Sequence, residues 1–506
     1  MSKALPVMFQ GTHSDAGKSA IVTAFCRIFY QDGFKTVPFK SQNMALNSYI
    51  TVDGKEIGRA QGVQAEAAGI MATTYMNPIL IKPTRDNESQ IVVHGKPYKN
   101  MKATSYRSEF FETGLQLIQE SLSVLSHSYE RIVIEGAGSP AEVNLNDREM
   151  VNMRIARMAN APVVLIGDIE KGGVFASLVG TLQLLEPQDR DRVIGVIINK
   201  FRGDMSLLEP GLKWFEAYTG KPVLGVVPYL HHLNIDAEDS VILHQYTALR
   251  NTDKELDIAV IQYPKISNFT DIDPFFVESD CDVRFVTRAD QLGEPDLIIL
   301  PGSKNTIEDF LFMQESGIAD KVVSLYNRRK SLIFGICGGY QMLGQHIHDP
   351  FAVESPELYT KGLGLLPLST TITQEKTTVL SEGTLKLFNK DISVTGYEIH
   401  MGESEIHDMF EALIQTKNGK EGCKSPDEQI IGTYFHGIFH NDAFRELLLN
   451  RIREKKGLSP IYDRVSFNRL REEAFDRLAE HVRNHVQIDV IEQKMAEFQR
   501  RGIEVQ

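Results

Sequence analysis

The chain has 506 residues, 42% hydrophobic and 24% charged, the make-up of an ordinary soluble globular protein with room for about three domains. A formal net charge of −13 argues against a general nucleic-acid-binding or anionic-membrane surface, so an acidic substrate would need a local basic pocket. Four scattered cysteines (Cys26, Cys281, Cys337, Cys423) without CxxC spacing give no zinc or disulfide signal, and no stretch reads as a signal peptide or approaches the ~18 apolar residues of a spanning helix. The expected location is the cytoplasm.

Short apolar runs recur along the first half: PVMFQG near Pro6, RIVIEGAG from Arg131, APVVLIGD from Ala161 and RVIGVIINK from Arg192. Each ends at Gly, Asp or Asn and precedes a stretch with helical character, the pattern of buried parallel strands with helical crossovers. The pattern fades after VLGVVPYL (Val223–Leu230), and HHLNIDAEDS reads as the start of a linker. A second strand series follows: LDIAVIQYP from Leu256, DVRFVT from Asp282, DLIILPGSK from Asp296 and SLIFGIC from Ser331. The expected fold class is therefore α/β, two tandem parallel-sheet domains with a helical C-terminal tail. The expected bounds are 1–235 for the first domain, 236–254 for a linker, 255–445 for the second domain and 446–506 for the tail.

Within the first domain, Gly11–Ser19 reads GTHSDAGKS between the strand PVMFQ and the helical AIVTAFCRIFY. Glycines let backbone amides approach phosphate, Lys18 can reach the outer phosphates, and Ser19 is positioned to ligate magnesium. Five residues separate Gly11 from Gly17, one more than in the usual phosphate loop. Glu135, ending RIVIE, is a second magnesium candidate, and Asn199 and Lys200, ending VIGVIINK, sit where nucleoside contacts are common. The nucleotide set is thus Gly11, Thr12, Ser14, Asp15, Ala16, Gly17, Lys18, Ser19, Asn199 and Lys200, with Mg2+ at Ser19 and Glu135.

The loop wording, together with EGAG, resembles the dethiobiotin synthetase-like branch of P-loop proteins, which use ATP to phosphorylate a carboxylate or carbamate. Further segments are similar to the cobyric acid synthase family of glutamine-dependent amidating enzymes. They are SDAGKS, KSQNMALNS (Lys40–Ser48), EIGRAQGVQA (Glu56–Ala65), NPILIKP (Asn77–Pro83), EGAGSPAEVNL (Glu135–Leu145), DIEKGGVFAS (Asp168–Ser177) and NKFRGD (Asn199–Asp204). That resemblance implies ATP-driven amidation of the b, d, e and g carboxylates of adenosylcobyrinic acid a,c-diamide. A corrinoid polycarboxylate needs cationic partners. Lys40, Arg59, Lys82, Lys171 and Arg202 lie in these segments and are the candidates, with Gln42, Asn43 and Gln61 beside them.

In the second domain, Gly335–Ile336–Cys337–Gly338–Gly339 places glycines two residues before and after a cysteine, at the end of an apolar run. This is a nucleophile elbow, a tight strand-to-helix turn that projects a thiol above the sheet and leaves the following amide free for an oxyanion. Gly302 and Ser303 of LPGSKNT, with Gly338, are the oxyanion-hole candidates. For the base, GTYFHGIFHND offers His436 and His440, and TGYEIHMGES offers His400. The domain resembles class I glutamine amidotransferases of the cobyric acid synthase type, which implies Cys337 as nucleophile and His436 as base. Ordinary class I members carry Glu two residues after that histidine, whereas Ile438 stands here, so the resemblance implies a Cys–His pair whose orienting group comes from elsewhere or is not needed. His231, His232 and His440 read as surface histidines.

The expected partners are small molecules, glutamine and the corrinoid, with no nucleic acid and no membrane; a homo-oligomer is compatible with this. Two other readings share the layout: a cobyrinic acid a,c-diamide synthase-type enzyme, and a P-loop regulatory ATPase with a degenerate amidotransferase module.

Overall fold

The run LPVMFQG forms the strand Leu5–Gly11, in which all but the first residue are buried. It pairs in parallel with Arg131–Glu135 on one side and Val163–Asp168 on the other. Beyond these lie Thr36–Phe39 at one edge, and Val193–Phe201 and then Val223–Pro228 at the other, all parallel. Parallel strands buried on both faces need helical cover, and the helix Lys18–Gln31 supplies it by packing Phe25 and Phe29 into one core with Phe9, Val133 and Ile166. The register brings the loop after Gly11, Glu135, Asp168 and Asn199 to the same strand-end edge, where ligands of open α/β sheets bind. The described residues of the computed structural model are 4–85, 87–230, 250–407 and 410–504.

The second sheet has a parallel half in the order Cys281–Val286, Leu256–Ile261, Leu297–Leu300, Leu332–Ile336 and Ile430–Thr433. It continues through antiparallel strands Gly419–Lys424 and Ala412–Thr416 to a long hairpin, Leu368–Leu387 with Lys390–Ile406. Helices Thr306–Glu315, Ile318–Asn327 and Asp442–Lys455 enclose a core that includes Phe310, Val322, Phe334 and Leu448.

Contacts divide the chain into two units: Met1–Ala45 with Glu56–Ile235 and Arg471–Gln506, and Leu46–Lys55 with Asp236–Leu470. The C-terminal tail expected over 446–506 is therefore not one body. Asp442–Lys455 belongs to the second unit and buries Phe444, Leu448, Leu449 and Ile452 there. From Arg471 the chain belongs to the first unit, where Phe475, Leu478, Val482, Ile491 and Met495 join Phe25 and Phe29 in the core. Arg27 binds Asp476 at 2.7 Å and Glu472 at 3.0 Å, and Gln487 N–H donates to the Leu224 carbonyl oxygen at 2.8 Å. The helical periodicity of the tail is local, but the surface that its apolar stripe covers is set by a core formed some 450 residues earlier, as in the Arg27–Asp476 pair, 449 residues apart. The expected linker up to residue 249, with His231 and His232, lies outside the described residues. No helix among the described residues is long and apolar enough to cross a membrane.

Candidate active sites

The phosphate loop begins where Gly11 ends its strand and closes at Gly17, which takes φ +90° at the N-terminus of the helix Lys18–Gln31. A Cβ at Gly17 would meet Asn199 Nδ2 at 2.1 Å, so the loop needs glycine for both conformation and space. Asn199 Nδ2 donates to the Ala16 carbonyl oxygen at 3.0 Å. Lys200, itself at φ +61°, donates to the Asp15 carbonyl oxygen at 2.7 Å and to Asp168 Oδ2 at 2.8 Å. Burial alone would raise the Asp168 carboxyl, but hydrogen bonding to Lys200 prevails and holds it below the ordinary carboxylate range. Lys18 Nζ donates to the His13 carbonyl oxygen at 3.1 Å, while Ser14 and Asp15 stand exposed at the tip.

Glu135 is the hub of this edge. Its Oε1 accepts from Ser19 Oγ and from Lys40 Nζ, each at 2.9 Å, and its Oε2 accepts from Gln64 Nε2 at 2.5 Å. Hard oxygen donors from Ser19 and Glu135 suit Mg2+. Thr12 Oγ1 and Gln10 Oε1 are buried without a hydrogen-bond partner among the described residues, leaving acceptor or donor capacity beside the loop. The residues present fit a nucleotide phosphate group with its metal.

Of the eight residues expected to meet a corrinoid, Lys40 is bonded to Glu135 and so sits at the phosphate edge. Lys82 pairs with Glu56, both nearly fully buried. Asn43 Nδ2 donates to Gln61 Oε1 at 3.0 Å, Gln42 Oε1 accepts from the Tyr106 hydroxyl at 2.6 Å, and Arg59 is buried at the start of the helix Arg59–Ala67. Lys171 and Arg202 are half exposed. Lys171 approaches Asp15 at 3.9 Å; Arg202 bonds Glu170 at 3.0 Å and lies 3.7 Å from the Tyr229 ring centre. Asp168 and Gln64 join this site without having been singled out in the sequence.

In the second unit, Cys337 follows the strand Leu332–Ile336 and precedes the helix Gly338–Leu343 with φ 52° and ψ −108°, a strained conformation for a residue with a side chain. The flanking glycines are there because backbone passes too close for anything larger. A Cβ on Gly339 would lie 1.9 Å from the Leu300 carbonyl oxygen, and one on Gly335 would lie 2.7 Å from that of Gly339. Gly338 sits against Ser303, with the Ser303 amide nitrogen 2.9 Å from where a Cβ would be. Gly302–Ser303 forms a short antiparallel pair with Ile266–Ser267, so the expected oxyanion donors and the elbow converge.

His436, fully buried, faces the thiol. Its Nδ1 hydrogen-bonds Asp271 Oδ2 at 2.7 Å, and Asp271 Oδ1 accepts from Gly437 N–H at 2.7 Å. Burial would lower the imidazole pKa, but the Asp271 carboxylate and the hydrogen bond to Cys337 reverse this and raise it to about 10. The group that orients His436 is thus Asp271, from Phe269–Ile272, while Ile438 is fully buried core. No local spacing could have pointed to Asp271. Tyr397 stacks on His436 with ring centres 5.1 Å apart, and Cys337 Sγ lies 3.6 Å from the Ile399 carbonyl oxygen. His400 turns elsewhere: Nδ1 bonds the Gly402 carbonyl oxygen at 2.7 Å and the ring stacks on Tyr434 at 3.8 Å. His440, read as a surface residue, is half-buried, with Nε2 3.3 Å from the Thr270 carbonyl oxygen.

A phosphate-loop α/β unit joined to a cysteine-elbow α/β unit defines a two-domain glutamine amidotransferase, a carbon–nitrogen ligase that takes its nitrogen from glutamine. Comparison with known proteins agrees. Residues 7–241 match the CobQ/CobB/MinD/ParA nucleotide binding domain, and residues 257–444 match the CobB/CobQ-like glutamine amidotransferase domain. The chain is 68% identical over 503 residues to a cobyric acid synthase of Geobacillus sp. (strain WCH70), covering 99% of this chain and 100% of the relative. Identity is 67% over 500 residues with the protein of that name from Anoxybacillus flavithermus, covering 99% of each, and 63% over 498 residues with that of Geobacillus kaustophilus, covering 98% of this chain and 99% of the relative. The chain belongs to the cobyric acid synthase family.

Proposed function

We propose that this chain uses ATP and glutamine to amidate the b, d, e and g carboxylates of adenosylcobyrinic acid a,c-diamide, yielding adenosylcobyric acid. Family membership supplies the substrate. The observation that carries the reading is the buried Cys337–His436–Asp271 relay, which equips the chain to release ammonia from glutamine.

His436, made a stronger base by Asp271, takes the proton of the Cys337 thiol through Nε2 as the sulfur attacks the glutamine side-chain carbonyl carbon. The oxyanion is received by the amides of Gly338 and of Gly302–Ser303. His436 gives its proton to the departing nitrogen, releasing ammonia and leaving a thioester. It then takes a proton from the water that frees glutamate. Asp271 holds Nδ1 so that Nε2 faces the thiol throughout.

In the first unit Lys18 carries positive charge to the transferring phosphoryl group of ATP, with Lys40 and Lys200 at the same sheet edge. Mg2+, held by Ser19 and Glu135, would neutralise charge on the phosphate oxygens. A substrate carboxylate becomes an acyl phosphate, ammonia attacks its carbon, and phosphate leaves.

The test is to incubate wild type and Cys337→Ala with the corrinoid diamide, Mg-ATP and either glutamine or ammonium, and to follow product mass. Wild type is expected to add amides stepwise from either donor, and Cys337→Ala from ammonium only. An unchanged corrinoid with both donors would refute the substrate. Undiminished glutamine use by Cys337→Ala would refute the nucleophile.

A further inference from the structure

The ten residues Leu46–Lys55, LNSYITVDGK, come early in the chain, yet they lie on the amidotransferase unit. They are tightly held: Asn47, Ser48 and Thr51 are at most 1% exposed. Ile50 shares an apolar cluster with Tyr397 and Ile399, and a Cβ on Gly54 would come within 3.1 Å of the Thr378 carbonyl oxygen. The Ser48 N–H donates to Asn268 Oδ1 at 2.9 Å in a buried setting.

Three residues this segment touches, Asn268, Tyr397 and Ile399, also contact the catalytic pair. Asn268 Nδ2 lies 3.5 Å from His436 Nε2, Tyr397 stacks on the His436 ring and exchanges both backbone hydrogen bonds with it, and the Ile399 carbonyl oxygen receives Cys337 Sγ. Asn268 sits in the left-handed region at φ 52°. Because an N–H can donate only to the carboxamide oxygen, Ser48 decides which end of Asn268 faces His436. With Oδ1 engaged, the NH2 end meets Nε2 and favours its unprotonated, base form. Released, the amide can turn over and offer its oxygen, which favours the protonated form. The other titratable groups about His436 are Asp271, Cys337, Tyr397 and Glu398.

We propose that Leu46–Lys55 is a strap that positions the glutaminase base, with Asn268 as the positioning residue through which Ser48 sets the face presented to His436 Nε2. The strap runs covalently into the nucleotide-binding unit at both ends. Ala45 is buried there with Leu80 and Val92, and Glu56 is paired with Lys82. Glutamine hydrolysis is therefore tied to how that unit holds the strap. This rests on the Cys337–His436 reading above.

The experiment uses the full-length chain carrying Asn268→Ala, Ile50→Ala, both together, or Cys337→Ala, measuring glutamine hydrolysis and ammonium-driven amidation. Asn268→Ala and Ile50→Ala should each lower kcat for hydrolysis by roughly ten- to a hundred-fold while KM for glutamine stays within about two-fold. The acid limb of the Ile50→Ala pH profile should move to higher pH. The double variant should lose less than the product of the single losses, and ammonium-driven amidation should stay at the wild-type rate. Wild-type hydrolysis in either single variant, fully multiplicative losses, or a parallel fall in ammonium-driven amidation would each overturn the strap. Glutamine use retained by Cys337→Ala would instead overturn the dyad beneath it.

Discussion

Asp271 and His436 stand 165 residues apart in the chain and meet at 2.7 Å between Oδ2 and Nδ1, both side chains at most 2% exposed. The second carboxylate oxygen binds the Gly437 amide, so one carboxylate fixes both the ring and the backbone that carries it. The position two residues after His436 holds Ile438, which is buried core, and the carboxylate that binds the ring comes from another segment.

Replacing Asp271 by Asn should keep the shape and remove the charge. Glutamine hydrolysis is expected to fall by about two to four orders of magnitude, with ammonium-driven amidation unchanged. Against the effect of burial, the carboxylate is the larger of the two influences, with Cys337 the other, that raise His436 to about 10, so its loss lowers that value. In a pH–rate profile of any residual hydrolysis, the limb that reports His436 should move to lower pH.

Asp309 predicts a pH-dependent stability. Burial pushes its carboxyl up to about 7, against hydrogen bonds from Ser303 Oγ at 2.5 Å and Lys265 N–H at 3.0 Å. Because the folded value lies above the unfolded one, this contribution to stability is complete below about pH 4 and is lost as pH rises through about 7. Asp309→Asn removes that dependence. Its melting temperature should gain on wild type by several degrees between pH 5 and pH 8 in parallel thermal scans, reflecting on the order of a few kcal/mol.

At the phosphate edge, Glu135→Gln retains hydrogen-bonding capacity toward Gln64 and Ser19 but loses the charge that pairs with Lys40. The magnesium concentration for half-maximal ATP-dependent amidation should rise by about ten-fold or more, with ammonium as donor. Glutamine hydrolysis assayed alone should be unaffected. Equal Mg2+ dependence in wild type and variant would remove Glu135 from the metal site.

Gly339→Ala tests the packing of the elbow. The added Cβ would meet the Leu300 carbonyl oxygen at 1.9 Å, a backbone atom that cannot swing away. A loss of about 3 kcal/mol or more, or failure to fold, is expected in denaturant unfolding. Gly180→Ala, where nothing lies within 4 Å, should behave as wild type or slightly better in the same assay.

The two nucleotide and nucleophile motifs were legible because each is written in one short run. In GTHSDAGKS and GICGG, glycine spacing reports backbone that must turn or approach closely, and the structure supplies the reason at Gly17, Gly335 and Gly339. Helical character in the C-terminal tail was equally local. Which unit each helix serves was not, since Phe475 and Leu478 find their partners among residues near the start of the chain. Positive charge at Lys40 and Lys82 was visible, but not that Glu135 and Glu56 neutralise it.

By itself the sequence determined two α/β domains, a phosphate loop and a cysteine elbow, because apolar period, strand-end glycines and short spacing act over a few residues. Tertiary structure alone decided that Asp271 orients His436, that Lys40 joins Glu135, and that Leu46–Lys55 lies against Asn268, Tyr397 and Ile399. Each of these depends on side chains far apart in the chain being buried together. Such pairing leaves no period and no spacing, because it is set by sheet order and by where buried polar groups must find partners.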